Sequence, residues 1–428
     1  MRIIILLLLL SLSSLGLCFS SLDSGQFSIE ISIETSSENG IYFQGELVEA
    51  YAVIKNSSDF NLKGHIQWSI QSDEQAPLKR TIIPFSIEPE KEIHSFCPVY
   101  EFSDPGFYLY KTAIILENGQ TIERSMNIGY DPEKIKPALT RNPDFETFWQ
   151  ESRSELGSID PEFKATLQNH ESNLNIDLYF VEMQSLDKIK VTGWLEVPKK
   201  RGKYPALLRV PGYTSNMKPI LKYDDMVILS FNPRGHGDSD EGPFSGEELW
   251  VRGLDDKETY FYRGAYLDCL RALDFLTERE EVDEDRIAVW GGSQGGGFSF
   301  MIAAMDDRVD YCVADIPWLC DWVNYFKTTH WQEIDEWMYQ QPSRNWRSML
   351  NTLGYFDTMN MAEKIRCPVL MGIGLQDPVC PPATSFATYN NIPGEKEYIV
   401  YLRAEHGLGE KHWNHVYDWL RSNFGLAP

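Results

Sequence analysis

Short apolar segments alternate with helix-like segments over the last two thirds of the chain, and this alternation constrains the fold more than any other feature. The apolar runs have the length of buried strands, and stretches such as 264–278 and 295–305 have the length of helices. Strands that alternate with helices form a mostly parallel sheet covered by helices. The pattern predicts one α/β domain over residues 143–428, with strands at 176–184, 189–197, 204–210, 226–231, 286–290, 311–316, 368–373 and 396–402.

The preceding region, residues 21–130, contains strand-like segments without helix-like segments between them. Residues 27–34 alternate apolar and polar side chains, which is typical of a half-buried strand. Two later apolar runs flank Asn118-Gly119, a pair favoured in β-hairpin turns. The pattern predicts an immunoglobulin-like sandwich, joined to the α/β domain by a Pro-containing linker at 131–142. Because this region has no cluster of Ser, His and Asp, we expect a spacer or a binding module.

The first twenty residues have the pattern of a targeting segment. Arg2 precedes an unbroken apolar run at 3–10, and small residues lie near Ser20. The run is too short to span a bilayer. It predicts a signal peptide over 1–20 and an exported protein, either periplasmic or extracellular. The four residues ending at Cys18 also resemble a lipoprotein cleavage box, so membrane attachment through a lipid on Cys18 stays open.

Composition excludes several classes of protein. Hydrophobic residues make up 43% and charged residues 24%, a globular balance that excludes a mainly disordered chain. The net charge of −24 repels phosphate backbones and argues against a nucleic-acid partner. The cysteines after Cys18 are scattered and form no C-x-x-C pair. We therefore expect buried free thiols rather than a disulfide framework or a metal site.

Ser293 lies in the segment 291–295, Gly-Gly-Ser-Gln-Gly, between a predicted strand and a predicted helix. A sharp turn from strand to helix exposes such a Ser, and only Gly beside it leaves room for the turn. In α/β-hydrolases, Gln294 and the loop after strand 204–210 would each supply an N–H group to an oxyanion. The alternative is a Gly-rich turn or a phosphate loop, but the Lys of a P-loop is lacking.

Asp377 and His406 each follow a later predicted strand. Alone, either residue fits an ordinary turn or a surface loop. The order Ser293, Asp377, His406, each just past a strand, is the order of nucleophile, acid and base in α/β-hydrolases. Asp315 and Asp321 stay as alternatives for the acid.

Other histidines compete with His406 for the role of base. His412 and His415 fall on a predicted terminal helix and are interpreted as structural; their spacing could suit a metal, but no further ligand stands at a suitable distance in sequence. His236 precedes Ser293 and sits in a Gly-flanked turn, so it is also interpreted as structural. Its neighbour Arg234 is expected to order nearby loops.

The chain from about residue 142 onward resembles the acetyl xylan esterase / cephalosporin-C deacetylase family of the α/β-hydrolase superfamily. The segments that carry the resemblance are Asp144-Phe145, Phe148-Trp149, Gly212-Tyr213, Arg234-Gly235-His236-Gly237, Gly291-Gly292-Ser293-Gln294-Gly295-Gly296, Leu353-Gly354-Tyr355-Phe356-Asp357 with Asn360, Asp377-Pro378-Val379-Cys380-Pro381-Pro382, and His406.

The resemblance implies a serine esterase that removes acetyl groups from carbohydrate. It implies Ser293 as nucleophile, His406 as base and Asp377 as acid, with the N–H groups of Tyr213 and Gln294 as the oxyanion hole. It implies no metal and no organic cofactor.

Two positions depart from the family pattern. The family usually has Gln where His236 stands, and Glu where Gly407 stands. The second departure bears on the support of the loop that carries His406. Family members often form hexamers, but the added N-terminal region could prevent that assembly, so the oligomeric state stays open.

The sequence therefore predicts an exported serine esterase for acetylated xylan, xylo-oligosaccharides or similar carbohydrates, which acts through an acetyl-enzyme. A serine peptidase and a short-acyl esterase of other specificity remain alternatives, because the same residues also cleave other acyl bonds. A silent sugar-binding protein is a third alternative. Five Trp between residues 318 and 346 could contact sugar rings, although helix packing explains most of them better.

Overall fold

The computed structural model describes residues 29–240 and 248–426. The predicted signal peptide and Cys18 lie outside these residues. No helix in the described ranges combines the length and the apolar character needed to cross a membrane. Within the same ranges the chain forms three sheets, two small and one large.

The two small sheets are built from the first eight strands. Three strands form one sheet in the order β1-β3-β6, and five form the other in the order β2-β8-β7-β4-β5. Their side chains alternate between buried and exposed, and the inner faces share one hydrophobic cluster. The strands are β1 (Ile29–Thr35), β2 (Ile41–Tyr42), β3 (Ala50–Asn56), β4 (Leu62–Ser72), β5 (Pro77–Ile87), β6 (Glu92–Phe96), β7 (Gly106–Leu116) and β8 (Thr121–Tyr130).

The large sheet is mixed, with its strands in the order β17-β16-β15-β14-β12-β13-β11-β10-β9. The strands from β12 to β17 pair in parallel, and β9 to β11 form an antiparallel edge. These strands are β9 (Lys164–Leu167), β10 (Ile176–Gln184), β11 (Lys190–Pro198), β12 (Tyr204–Val210), β13 (Val227–Asn232), β14 (Val282–Gly292), β15 (Tyr311–Asp315), β16 (Val369–Gly374) and β17 (Lys396–Tyr401).

Helices cover both faces of this sheet, so its central strands are apolar on both sides. In β12, for example, Ala206 and Leu208 face the cluster that includes α2 and α3, whereas Leu207 faces α8. The large sheet with its helices confirms the predicted α/β architecture. The helices are α1 (Phe145–Gly157), α2 (Phe261–Thr277), α3 (Gln294–Met305), α4 (Trp322–Thr328), α5 (Gln332–Gln340), α6 (Trp346–Leu353), α7 (Pro382–Tyr389) and α8 (Gly409–Asn423).

Helices α4 to α6 form an excursion between β15 and β16, near the end of the sheet where Ser293 lies. Most of the Trp residues in this excursion pack in the interior, as the sequence interpretation favoured. Trp318 and Trp331 stack with ring centroids 5.5 Å apart, and Trp322 and Trp337 are buried. Trp346 is the exception, since it is 46% exposed.

Candidate active site

Ser293 occupies the sharp turn between β14 and α3. Its backbone has φ 59° and ψ −121°, an unfavourable conformation for a residue with a side chain. The Ser293 N–H donates to the carbonyl oxygen of Asp315 at 2.9 Å, and its own carbonyl accepts from the N–H of Trp318 at 2.9 Å. A Cβ at Gly295 would lie 2.5 Å from the carbonyl oxygen of Val210, so the turn requires Gly there. These contacts hold the strained Ser at the edge of the sheet.

The structure brings Asp377 and His406 together with Ser293. The His406 Nδ1–H donates to Asp377 Oδ2 at 2.8 Å, and the Ser293 hydroxyl donates to His406 Nε2 at 3.1 Å. The Asp377 side chain is fully buried, and its other oxygen accepts from the N–H groups of Val379 and Cys380 at 2.8 and 2.9 Å. The carboxylate is therefore oriented before a substrate arrives, whereas His406 stays partly exposed.

Two backbone N–H groups lie beside Ser293 without an acceptor among the described residues, those of Tyr213 and Gln294. Tyr213 follows β12, and Gln294 is the first residue of α3. The free N–H groups of a helix N-terminus carry partial positive charge, which stabilises a nearby oxyanion. Tyr213 and Gln294, the two residues that the sequence predicts for the oxyanion hole, thus each have an unused N–H donor.

The Gln294 side chain is buried and is held by two hydrogen bonds. The Tyr262 hydroxyl donates to Gln294 Oε1 at 2.6 Å, and Gln294 Nε2 donates to His236 Nε2 at 2.9 Å. The His236 Nδ1–H donates to the carbonyl oxygen of Arg234 at 3.0 Å, so the ring is neutral with its proton on Nδ1. Burial lowers the pKa of His236, which favours the same neutral form. His236 is therefore an orienting residue rather than a base for Ser293.

Arg234 orders the loops around this network, as sequence analysis expected. Its guanidinium makes two hydrogen bonds to the carboxylate of Asp268, at 2.8 and 2.9 Å. It also donates to the carbonyl oxygen of Leu186 at 3.1 Å. A charged pair this deeply buried is tolerated because its remaining donors and acceptors are also satisfied.

The competing acid and base candidates have other partners. His412 Nε2 lies 2.6 Å from Asp315 Oδ1, and this pair is buried behind the Ser293 turn. The Asp321 carboxylate accepts from the N–H of Asn324 and caps the start of α4. His415 lies on the exposed face of α8. None of these side chains contacts Ser293 among the described residues.

One group in the described ranges could geometrically hold a metal ion: Asp377, Cys380 and His406, whose ligand atoms lie within 4.8 Å of one another. Asp377 and His406 already share a hydrogen bond. Burial raises the pKa of the Cys380 thiol well above its ordinary range, which disfavours the thiolate that a metal binds. The described cysteines all carry free thiols.

Sequence reasoning missed two residues that support the site. Tyr262, which holds the Gln294 amide, lies at the start of α2, and no motif marks it. Cys380 Sγ lies 3.9 Å from Ser293 Oγ, so this thiol forms part of the wall beside the Ser293 hydroxyl. The sequence marked Cys380 only as a member of a matching segment.

Together these groups contain a hydroxyl beside an imidazole, a buried carboxylate behind it and two unused N–H donors. Such an arrangement suits attack of a hydroxyl oxygen on an acyl carbon, with a proton moved through the imidazole and an oxyanion held by the N–H groups. Each part comes from a different loop at the carboxyl end of the sheet, which is where α/β folds usually place their sites.

Comparison with known proteins identifies relatives. The family model described as acetyl xylan esterase (AXE1) matches residues 130–423. The acetyl esterase Axe7A of Xylanibacter ruminicola is 30% identical over 307 residues, which cover 66% of this chain and 68% of that protein.

Two solved structures are also similar. The acetyl xylan esterase from Paenibacillus sp. R4 has a TM-score of 0.64 at 33% identity, and covers 68% of this chain and 98% of its own. Acetyl xylan esterase 1 from Thermoanaerobacterium sp. JW/SL YS485 has a TM-score of 0.62 at 29% identity, and covers 68% of this chain and 97% of its own.

Proposed function

Since the chain belongs to the acetyl xylan esterase family and is a carboxylic ester hydrolase, we propose that it removes acetyl groups from acetylated xylan or xylo-oligosaccharides. The observation that carries the proposal is the continuous hydrogen-bonded series from Ser293 through His406 to Asp377. We assign these residues the roles of nucleophile, base and acid.

In the first half of the reaction, His406 Nε2 accepts the Ser293 proton as Oγ attacks the acetyl carbonyl carbon. Asp377 accepts the hydrogen bond from Nδ1–H and stabilises the imidazolium that forms. The N–H groups of Tyr213 and Gln294 hold the negative oxygen of the tetrahedral intermediate. The bond from carbon to the sugar oxygen then breaks, and His406 Nε2–H protonates that oxygen. An acetyl group remains on Ser293.

In the second half, His406 removes a proton from water as the water oxygen attacks the acetyl carbon. The same two N–H groups hold the second oxyanion. The intermediate collapses, its bond to Ser293 Oγ breaks, and His406 returns the proton to that oxygen. Acetate leaves and the free hydroxyl is restored, so the reaction needs no group besides water.

We also propose the location and domain organisation predicted from the sequence. A signal peptide over 1–20 would export the protein to the periplasm or the outside of the cell, with a lipid on Cys18 as the alternative. Residues 21–130 would form an immunoglobulin-like accessory domain, joined by a linker at 131–142 to the catalytic domain at 143–428. Mass spectrometry of the mature N-terminus separates cleavage near Ser20 from a lipid on Cys18.

Acetate release from a panel of acetylated polysaccharides tests the activity. Acetylated xylan, mannan and pectin are incubated with the natural protein and with Ser293→Ala, and free acetate is measured over time. We expect the natural protein to release acetate from acetylated xylan and Ser293→Ala to release none. Turnover of aryl acetates without release from any saccharide would instead indicate a short-acyl esterase of other specificity, and cleavage of peptide anilides would indicate a peptidase.

A further inference from the structure

A cleft of about 520 Å³ lies between helix α8 and the loop that joins β12 to β13. Its lining includes Gly212, Gly292 and Gly407, which are the sequence neighbours of Tyr213, Ser293 and His406. A Cβ at Gly212 would lie 4.0 Å from the Cβ of Ser293, so this part of the lining borders the turn that carries Ser293. Its volume falls within the range of small-molecule sites. We call it the α8 cleft.

One face of α8 forms a wall of this cleft. Glu410, Trp413, Asn414 and Tyr417 all line it, at the three- and four-residue spacing that places side chains on one side of a helix. Trp413 is 55% exposed, although large aromatic side chains usually bury most of their surface. Over the described ranges, the side chains of Glu410, Trp413 and Asn414 have no hydrogen-bond, ionic or ring partner.

The opposite wall comes from the loop after β12. Tyr223 in this loop stacks on Tyr417 with ring centroids 4.2 Å apart, and both rings line the cleft. Lys222 Nζ lies over the Tyr223 ring at 5.2 Å. The cleft therefore combines aromatic faces with an unpaired carboxylate, an unpaired amide and an ammonium group.

This combination matches the chemistry of a sugar. The C–H groups of a pyranose ring pack on the electron-rich face of an indole, and its hydroxyls need donors and acceptors of the kind that Glu410 and Asn414 offer. A protein partner would favour a flatter surface with fewer charges at its centre. The concave shape and the link to Ser293 favour a substrate segment over a separate macromolecule.

The proposed reaction also places the sugar on the side of Ser293 where the α8 cleft lies. His406 Nε2 must protonate the oxygen that leaves with the sugar, so that oxygen lies next to His406 in the transition state. Gly407 and Leu408, which follow His406 directly, line the α8 cleft. Cys380 Sγ lies 3.9 Å from Ser293 Oγ and does not line the cleft, so the acetyl methyl group would lie on the Cys380 side of Ser293.

We propose that the α8 cleft is the subsite that holds the saccharide carrying the acetyl group, with Trp413 as its stacking platform. The proposal rests on the proposed function, because it names where the deacetylated sugar binds. It assigns Trp413, Glu410 and Asn414 to specificity rather than to the acyl-transfer step.

Binding without turnover tests the proposal. Acetylated xylotriose is titrated into Ser293→Ala, and into Ser293→Ala combined with either Trp413→Ala or Glu410→Gln. Kd is measured by calorimetry. We expect Trp413→Ala to weaken binding at least tenfold and Glu410→Gln to weaken it several-fold. An unchanged Kd in both variants, or no binding to Ser293→Ala, overturns the proposal.

Two further measurements separate this result from the proposed function. Trp413→Ala alone should keep the circular dichroism spectrum and the Tm of the natural protein, which shows that the variant folds. Trp346→Ala is the matched control, since it removes another half-exposed Trp, from the excursion between β15 and β16. If Trp346→Ala weakens the binding of acetylated xylotriose more than Trp413→Ala does, the α8 assignment is overturned. Release of acetate by the natural protein, measured in parallel, decides the proposed function independently.

Discussion

Gln376, the residue before Asp377, shares two hydrogen bonds with the backbone of Asn127 in β8. Gln376 Oε1 accepts from the Asn127 N–H at 2.7 Å, and Gln376 Nε2 donates to the Asn127 carbonyl oxygen at 3.2 Å. The same Nε2 donates to the carbonyl oxygen of Leu402 at 2.7 Å, and the Gln376 N–H donates to that of Ala404 at 2.9 Å. One side chain thus connects the N-terminal sheets with the loops that carry Asp377 and His406.

Replacement of Gln376 by Met should lower kcat without a matching rise in KM. The variant keeps the length of the side chain but loses its hydrogen bonds, each of which contributes about 0.5–1.5 kcal/mol. Because the bonds position Asp377 and His406, we expect kcat on 4-nitrophenyl acetate to fall about 3–10-fold. The matched control, Lys327→Met, breaks the ion pair between Lys327 and Glu74, another contact with the N-terminal sheets. Equal kcat values in the two variants would contradict the positioning role.

A chain that starts near Lys136 tests the predicted spacer role directly. The sequence predicts that such a chain folds and keeps its activity on aryl acetates. Ile41 and Phe107, however, belong to the same hydrophobic cluster as the large sheet, and the Phe107 ring lies 5.7 Å from that of Phe386. We therefore expect a soluble protein with a lower Tm and reduced kcat, measured by calorimetry and by aryl acetate hydrolysis. Unchanged kcat and Tm would restore the spacer interpretation.

The assignment of the acid can be tested by substitution. Asp377→Asn should reduce kcat about as severely as Ser293→Ala, ~10³-fold or more, because an amide favours the wrong imidazole tautomer. Asp321→Asn should be mild, since Asp321 caps α4 and does not contact His406. The three values of kcat are compared on 4-nitrophenyl acetate. A severe Asp321→Asn together with a mild Asp377→Asn would show that the acid is misassigned.

Acyl chain length should affect the rate strongly. Cys380 Sγ lies 3.9 Å from Ser293 Oγ and limits the space there. A longer acyl group must displace packed side chains at a cost of ~1–3 kcal/mol. Butyrate esters should therefore have a kcat/KM ~10–100-fold below that of acetates. A series of 4-nitrophenyl acetate, butyrate and octanoate measures this, and values that rise with chain length would indicate a lipase-like esterase.

His236 should make stability depend on pH. Burial lowers its pKa from the ordinary 6.5, so the folded protein keeps the ring neutral while the unfolded chain binds a proton below about that pH. The free energy of unfolding therefore falls as the pH drops below about 6.5. His236→Gln can keep both hydrogen bonds without titrating. We expect Tm to fall more in the natural protein than in His236→Gln between about pH 7 and about pH 5; parallel curves would contradict this cause.

Much of the fold follows from local patterns in the sequence. The predicted strand at 204–210 coincides with β12, and the predicted hairpin turn at Asn118-Gly119 lies between β7 and β8. Strand β5 is absent from the predicted strands, because it is an edge strand whose side chains are mostly exposed and because Pro84 within it argues against a strand. Helix α7 is absent from the predicted helices, because seven of its eight residues are buried and its sequence shows no one-sided apolar pattern. Helical periodicity is weak in a segment that is buried on all sides.

Short-range patterns predict the alternation of strands and helices and the positions of Ser293, Asp377 and His406 just past strand ends, because each depends only on nearby residues. Which polar groups meet depends instead on how distant segments pack. His412 pairs with Asp315 across 97 positions, and Gln376 with Asn127 across 249. Such partners depend on strand order, register and packing, which no local pattern encodes. The α8 cleft has the same origin, since its walls meet only when α8 packs beside the loop after β12.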